Sequence, residues 1–331
     1  MAEGKNRLIV IDSNSVIHRA FHALPPLSTK KGEIVNAVYG FLLVLFKAIK
    51  EFRPDHIIAT FDLPVPTFRH KKFEKYKAKR PPTPPELYNQ IPKVKEILKA
   101  FNILIFEKEG FEADDLIGTI SQQFSRKQII PRAEVIILSG DLDVLQLVNK
   151  SIKAYILRKG VKDTVLYDEN LVREKYQGLN PNQLDDFKAL RGDPSDNIPG
   201  VRGIGEKTAI QLIKQFNTLE NLYSALEQKE ASLNDNLRLK LEQQKEQAFF
   251  SKELVQIRRD APIDFNLENS RWGEYDKEKV TEILQNLEFY SLISRLPSDS
   301  GQTENYCSEE IKKEKKTKKT EEKHKNNLKL W

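Results

Sequence analysis

NILIFEKEGFEADDLIGTISQQF, residues 102–124, opens on branched apolar side chains, crosses a short polar loop, and continues with apolar residues at Leu116, Ile117, Ile120 and Phe124. The first part has the composition of a buried strand, and the last has the period of a helix packed on one face. Between them stand Glu112, Asp114 and Asp115, three anions within four positions. Acidic residues in the first turn of a helix complement the partial positive charge of its N-terminus and cap its N–H groups. Read alone, the cluster is a helix start before it is a site. What decides is whether other carboxylates are placed to meet it.

Outward from this stretch the strand-then-helix unit repeats. RLIVID (7–12), HIIATFD (56–62), FNILIFE (101–107) and AEVIILSGD (133–141) read as buried parallel strands, with NAVYGFLLVLFKAIKEF (36–52) and PKVKEILKAF (92–101) as helices between them. The alternation predicts an α/β fold, a central, mostly parallel sheet flanked by helices. From about residue 168 the segments NQLDDFKALRG, EKTAIQLIKQF, LENLYSAL, NLRLKLEQQKEQAFF and KEKVTEILQNL predict a helical region running to 297. Residues 302–331 hold nine Lys and six Glu, which predicts a disordered tail over 298–331.

Composition narrows the function. Lys plus Arg number 54 against 48 Asp plus Glu, a formal charge of +6 that suits a polyanionic partner without requiring one. The single cysteine, Cys307, leaves no disulfide framework and no thiolate metal site, and predicts a reducing, cytoplasmic setting. No apolar run approaches the length of a membrane span, so no membrane role is expected.

Three of the predicted strands end in aspartate, at Asp12, Asp62 and Asp141, and Asp143 follows two positions after the last. The carboxyl ends of parallel strands share one rim, and the opening stretch delivers Glu112, Asp114 and Asp115 to it. Glu112 and Asp115, three apart, would share a helix face, with Asp114 turned toward a neighbour. Carboxylates so crowded raise one another's pKa unless cations neutralise them. With no cysteine nearby and no metal-binding spacing among the five histidines, the donors are oxygens, and Mg²⁺ or Mn²⁺ is expected.

Asp193 and Asp196 lie in the turn LRGDPSDNIPGV, which joins this set only if it folds back over the sheet. In IPGVRGIGEKTAIQLI, Gly200, Gly203 and Gly205 precede a helix, with Arg202 and Lys207 beside them. That pattern cradles a phosphate or simply turns the chain. RHKKFEKYKAKRPP carries Arg69, Lys71, Lys72, Lys75, Lys77, Lys79 and Arg80 against the lone Glu74, with Phe68, Phe73 and Tyr76 interleaved. Such a segment follows a nucleic-acid backbone and stacks on bases, or is a solvated basic loop.

Taken in order, FDLPVPTFRHKKFEKYKAKRPPTP, GFEADDLIGT, LSGDLDVLQLV and FKALRGDPSDNIPGVRGIGEKTA resemble the bacterial 5′ nuclease family. This comprises the 5′–3′ exonuclease region of DNA polymerase I and, more distantly, the flap endonucleases. The resemblance runs from about residue 6 to 297, where EFYSLISRLP looks like the segment closing that region. It implies a PIN-like nuclease core over 1–167 with a helical arch at about 63–92, and a helical DNA-binding region over 168–297 with a helix-hairpin-helix-type motif at about 185–226. The implied activity is that of a metal-dependent 5′–3′ exonuclease and 5′-flap endonuclease. Its substrates would be nicked or branched DNA with a 5′ flap or RNA primer, in bacterial replication and repair.

The resemblance further implies two divalent ions. Asp12, Asp62, Glu112 and Asp114 would surround the first, with Asp141, Asp143 and Asp196 nearer the second and Asp115 and Asp193 completing the set. Lys77 and Arg69 would act as catalytic cations, and Phe68, Tyr76 and Arg80 would line the arch. His18 and Arg19 would meet the 5′ end. Gly200, Arg202, Gly203, Gly205, Lys207 and Thr208 would grip duplex phosphates, with a K⁺ ion at the turn. Two departures imply altered substrate handling: SNS follows Asp12 where relatives often have a glycine, and His18 stands where a base-stacking tyrosine is common. The same residues fit two alternatives, a non-catalytic branched-DNA-binding protein and the N-terminal fragment of a DNA polymerase I. A cytoplasmic, nucleoid-associated monomer is expected. The end NNLKLW resembles a sliding-clamp-binding peptide, with Leu328, Leu330 and Trp331 as its docking residues.

Overall fold

Strand β1 (Arg7–Asp12) is flanked by β2 (His56–Thr60) and β4 (Glu134–Ser139) in a computed structural model that describes residues 6–126, 133–229 and 232–297. With β3 (Leu104–Phe106), β5 (Ile152–Leu157) and β6 (Thr164–Tyr167) they form one sheet in the order β3-β2-β1-β4-β5-β6. Every pair is parallel except β5 with β6. The chain winds from β1 outward to β3, then returns to lay β4 on the other side. A crevice therefore opens beyond the carboxyl ends of β1 and β4, where doubly wound sheets bind their ligands.

Ile9 and Ile11 join one buried cluster and Leu8 and Val10 the other, so both faces of the sheet are covered, as a near-continuous apolar strand requires. The four strands expected from sequence are present. The hairpin β5–β6 adds to them: IKAYIL has the same branched apolar signature, but TVLY, half-buried at the sheet edge, lacks it.

Leu8 and Val10 belong to the same apolar cluster as Phe187, Leu190, Ile213 and Leu222, so the sheet's core continues into the helical region. That region includes the helices Leu184–Arg191, Glu206–Phe216, Leu219–Glu227 and Lys245–Val255. Beyond the last of these the chain returns to the sheet as a strap along the helix Ala113–Arg126. Ile257 N–H donates to Gln146 Oε1 (2.9 Å) and Ala261 N–H to Thr119 Oγ1 (3.0 Å). Gly118 makes the approach possible, since a Cβ there would lie 2.5 Å from the Arg258 carbonyl oxygen.

Among the described residues no helix is long and apolar enough to cross a membrane. The expected tail disorder and the clamp-docking residues Leu328, Leu330 and Trp331 lie outside the described residues.

Candidate active site

Asp12 ends β1 and caps the helix Ser13–Ala23, accepting from Ser15 N–H at 3.2 Å. Its other oxygen accepts from Ser139 Oγ at 2.6 Å, so the ends of β1 and β4 are laced together. Gly140 N–H donates to Ser15 Oγ and Asp141 N–H to Ser139 Oγ, both at 2.9 Å. Asn14 Oδ1 accepts from Asp62 N–H at 3.1 Å, while Asp62 Oδ1 accepts from Ala113 N–H at 2.7 Å. The SNS triplet therefore pins three carboxylate-bearing loops to one another. Ser139 went unremarked in the sequence, and SNS stood out only as a departure from relatives, because a hydroxyl or amide carries no signal until its partner strand is known.

Of the nine carboxylates expected to bind metal, Asp12, Asp62, Glu112, Asp114, Asp141, Asp143 and Asp196 line one cavity of about 560 Å³. Burial, opposed by the Ser139 and Ser15 hydrogen bonds, raises the Asp12 pKa. Asp114 is held well above its ordinary value, by burial first and then by the charges of Asp12, Asp141, Asp143 and Asp62. Burial and Asp141 push Asp143 up to about 7 against the pull of Lys188. These are anions in want of cations.

Side-chain cations meet part of that demand. Lys77 Nζ lies 2.9 Å from Glu112 Oε1, Arg80 pairs with Asp196, and Lys188 bridges Asp143 and Asp193. Among the described residues no three His, Cys, Asp or Glu side chains are already gathered as an ion's ligands. Lys188 is a residue that sequence reasoning missed, although it stands in the quoted stretch FKALRGDPSDN, one helical turn and a loop before Asp193.

Two expected ligands do not face the cavity. Asp115 is 0% exposed and accepts from both Arg69 amino groups (2.7 and 2.9 Å), from Glu112 N–H (3.0 Å) and from Arg258 N–H (2.9 Å). Glu112 and Asp115 do share a side, both reaching Arg69, but only Glu112 of the two lines the cavity, where Asp114 joins it. Asp193 is taken up by Lys188 (2.7 Å) and by Ser195 N–H (3.0 Å) and Oγ (2.5 Å). Although burial opposes its charge, these donors hold its pKa down at about 2.

In the arch Lys71, Lys72, Lys75, Lys79 and Arg80 are exposed, as expected of a basic surface, but Arg69 and Tyr76 are buried. Arg69 lines the cavity but is 2% exposed, and besides Asp115 it donates to the carbonyls of Leu254 and Gln256, each at 2.8 Å, so its guanidinium is committed to partners within the protein. Tyr76 is 3% exposed, with its phenol bonded to Glu112 and Asp196 at 3.1 Å each, and it ties carboxylates together instead of offering a face to a base. Phe68 supports the Arg69 guanidinium, 4.5 Å from its ring centre, and neighbours Phe111. Lys77 and Arg80 line the cavity together with Arg69 and Tyr76, as do His18 and Arg19.

The turn between Leu184–Arg191 and Glu206–Phe216 joins cavity to surface: Asp196 lines the cavity, while Arg202, Gly203, Gly205 and Lys207 are exposed and Thr208 is half-buried. Gly200 has φ +64°, and a Cβ on it would lie 2.2 Å from Gly192 N, so only glycine closes this turn. Gly200 N–H donates to Ser251 Oγ (3.2 Å) and Arg202 N–H to Gln244 Oε1 (2.7 Å), so these two backbone donors are taken up within the protein. The helix start beyond them, at Glu206, has no side-chain cap.

The profile described as 5′-3′ exonuclease, N-terminal resolvase-like domain matches residues 7–177, and that described as 5′-3′ exonuclease, C-terminal SAM fold matches residues 179–278. DNA polymerase I of Bacillus caldotenax is 43% identical over 301 residues, 91% of this chain and 33% of that protein, and the enzyme of Bacillus subtilis is 43% identical over 300 residues with the same shares. The chain thus spans about a third of the length of these relatives. A bacteriophage T5 flap endonuclease, solved in a pseudo-enzyme–product complex with DNA and metal ions, shares the fold at a TM-score of 0.64 and 18% identity, over 85% of this chain and 99% of that one. With its sheet-bearing and helical parts matched in turn by the two profiles, the chain belongs to the 5′–3′ exonuclease family.

Proposed function

We propose that this chain is a divalent-metal-dependent 5′ nuclease, cutting as a 5′–3′ exonuclease and a 5′-flap endonuclease on nicked or branched DNA with DNA or RNA 5′ ends. One observation carries the reading: seven carboxylates line a single cavity beneath a cationic arch, with Asp12, Asp114 and Asp143 held above their ordinary pKa by burial and by neighbouring carboxylates. An all-oxygen set fits Mg²⁺ or Mn²⁺. Asp12, Asp62, Glu112 and Asp114 would hold one ion, and Asp141, Asp143 and Asp196 a second. Bound there, the ions supply charge neutralisation and Lewis-acid polarisation for phosphodiester hydrolysis.

The chain's own groups do the rest. Lys77, whose ammonium rests on Glu112, is the cation placed to stabilise negative charge that develops on a phosphate oxygen. Arg69 is a positioning residue that ties the base of the arch to Asp115 and to the strap. Ser139 fixes the orientation of the Asp12 carboxylate. The uncapped helix start at Glu206, with Arg202 and Lys207, holds duplex phosphates without reading sequence, and a K⁺ ion at the turn belongs to the same reading.

Support comes from family membership and from the relative solved with DNA and metal ions. The test is a labelled 5′-flap duplex incubated with and without Mg²⁺. Asp114→Asn and Asp141→Asn should each abolish cleavage while binding in Ca²⁺ persists. Unchanged cleavage in both variants would overturn the metal assignment, and a wild-type chain that binds the junction without ever cutting it would be the non-catalytic alternative.

A further inference from the structure

One wall of the acidic cavity carries nitrogen donors in place of carboxylates. The helix Ser13–Ala23 rises from Asp12 and brings His18 and His22, one turn apart with ring centroids 6.4 Å from each other, to the cavity lining. Arg19 between them is committed to the β4 loop, donating to the Gly140 carbonyl at 2.8 Å. Arg80 of the arch lines the same cavity; its side chain is 47% exposed and gives an N–H to Asp196. Burial, then His22, then Arg80 hold the His18 imidazole below its ordinary pKa, so it presents a neutral ring with an N–H to donate.

His18 is six residues beyond Asp12 and His22 ten, about 9 and 15 Å along the axis at 1.5 Å per residue. A strand cut at the carboxylate rim would reach the imidazoles with about three or four nucleotides at 3.4 Å each. Its end, if phosphorylated, carries nearly two negative charges and three acceptor oxygens. An imidazole offers a ring N–H to such a group and becomes a cation if it takes up a proton, which a neutral phenol, with its single O–H donor, does not.

We propose that His18 and His22, with Arg80, form a subsite for the terminal phosphate monoester of a short 5′ flap or nicked strand, so that a 5′-phosphate end is preferred to a 5′-hydroxyl end. The proposal rests on the nuclease reading for the position of the cut phosphate, and its test does not require cleavage. Binding is measured by fluorescence anisotropy, without divalent cation, on duplexes whose free 5′ segment is one to ten nucleotides long and ends in phosphate or hydroxyl. The phosphorylated end should bind about 10-fold tighter at three or four nucleotides, the sum of two modest charge-assisted contacts. By ten nucleotides, where the end lies outside the cavity, the ratio should fall to within about two-fold.

His18→Phe, which keeps an aromatic face, and His22→Gln should each collapse the phosphate-to-hydroxyl ratio. Lys71→Gln, an exposed arch cation away from the cavity lining, should lower both affinities together and leave the ratio intact. Equal affinity for the two ends in the wild type, a ratio indifferent to flap length, or a ratio unchanged in both histidine variants would overturn the proposal. Cleavage in Mg²⁺, scored separately, reports on the nuclease reading: a chain that prefers the phosphate yet never cuts retains this subsite and loses that reading.

Discussion

Asp114 and Asp115 are neighbours in sequence, yet replacing each by asparagine should move stability in opposite directions when metal is absent. Asp115 is 0% exposed and its carboxylate takes four hydrogen bonds, two of them from the Arg69 guanidinium. Asparagine keeps one acceptor oxygen, turns the other into a donor facing donors, and leaves Arg69 as a buried cation without its partner. Removing one member of a buried ion pair costs about 3–5 kcal/mol, and a hydrogen bond to a charged group is worth about 1.5–3. Asp115→Asn should therefore destabilise by about 4 kcal/mol, which at a urea m-value of about 3 kcal/mol/M lowers the midpoint by about 1.3 M. Asp114 has the reverse balance. Burial and four neighbouring carboxylates disfavour its charge, so Asp114→Asn should raise the midpoint in EDTA. The assay is urea unfolding of both variants and the wild type in EDTA at pH 8, by circular dichroism. An Asp115→Asn chain as stable as the wild type but weakened in Mg²⁺ affinity would refute the placement of Asp115 as a structural anion.

Three further outcomes are expected. Gly200→Ala forces a side chain to φ +64° against Gly192 and should cost about 3 kcal/mol with loss of duplex binding, whereas Gly205→Ala, with nothing within 4 Å, should be near neutral by melting temperature. Lys77→Met should lower single-turnover cleavage of a flap by about 10²–10³-fold while changing substrate affinity only a few-fold, because the charge it stabilises develops in the transition state. Burial, opposed by Lys252, raises the Asp186 pKa to about 6 from 3.8, so the native state holds this proton more tightly than the unfolded one and stability falls as pH rises from about 4 through 6. Asp186→Asn should accordingly exceed the wild type in stability at pH 7.5 by at most about 3 kcal/mol, and the gap should close toward pH 4 in urea titrations.

The sheet and its acidic rim were legible because they follow from local rules. Branched apolar runs ending in aspartate, with helices between them, place Asp12, Asp141 and the start of the helix Ala113–Arg126 at the same edge whatever the loops do. The assignment of Asp115 was not legible, because its partners lie 46 residues upstream at Arg69 and 143 residues downstream at Arg258. Spacing on a helix says which residues share a face, and only tertiary contacts say what that face meets. The same holds for Tyr76, whose phenol looks like a stacking group until Glu112 and Asp196 are seen to claim its oxygen. The i, i+4 spacing of His18 and His22 stood in the sequence but was passed over, because nothing local shows that their common side meets an arginine from the arch.

The strap from Gln256 to Ala261 gives the order of synthesis a consequence. Arg69 and Asp115 emerge from the ribosome early, but the Leu254 and Gln256 carbonyls and the Arg258 N–H that complete their pairing come some 140 residues later. At about 5–20 residues per second, a nascent chain waits roughly 7–30 seconds between exposing its acidic helix and receiving the segment that seats it. During that interval the arch has no fixed base, and the cutting edge is unfinished while the growing chain is still tethered to its messenger RNA.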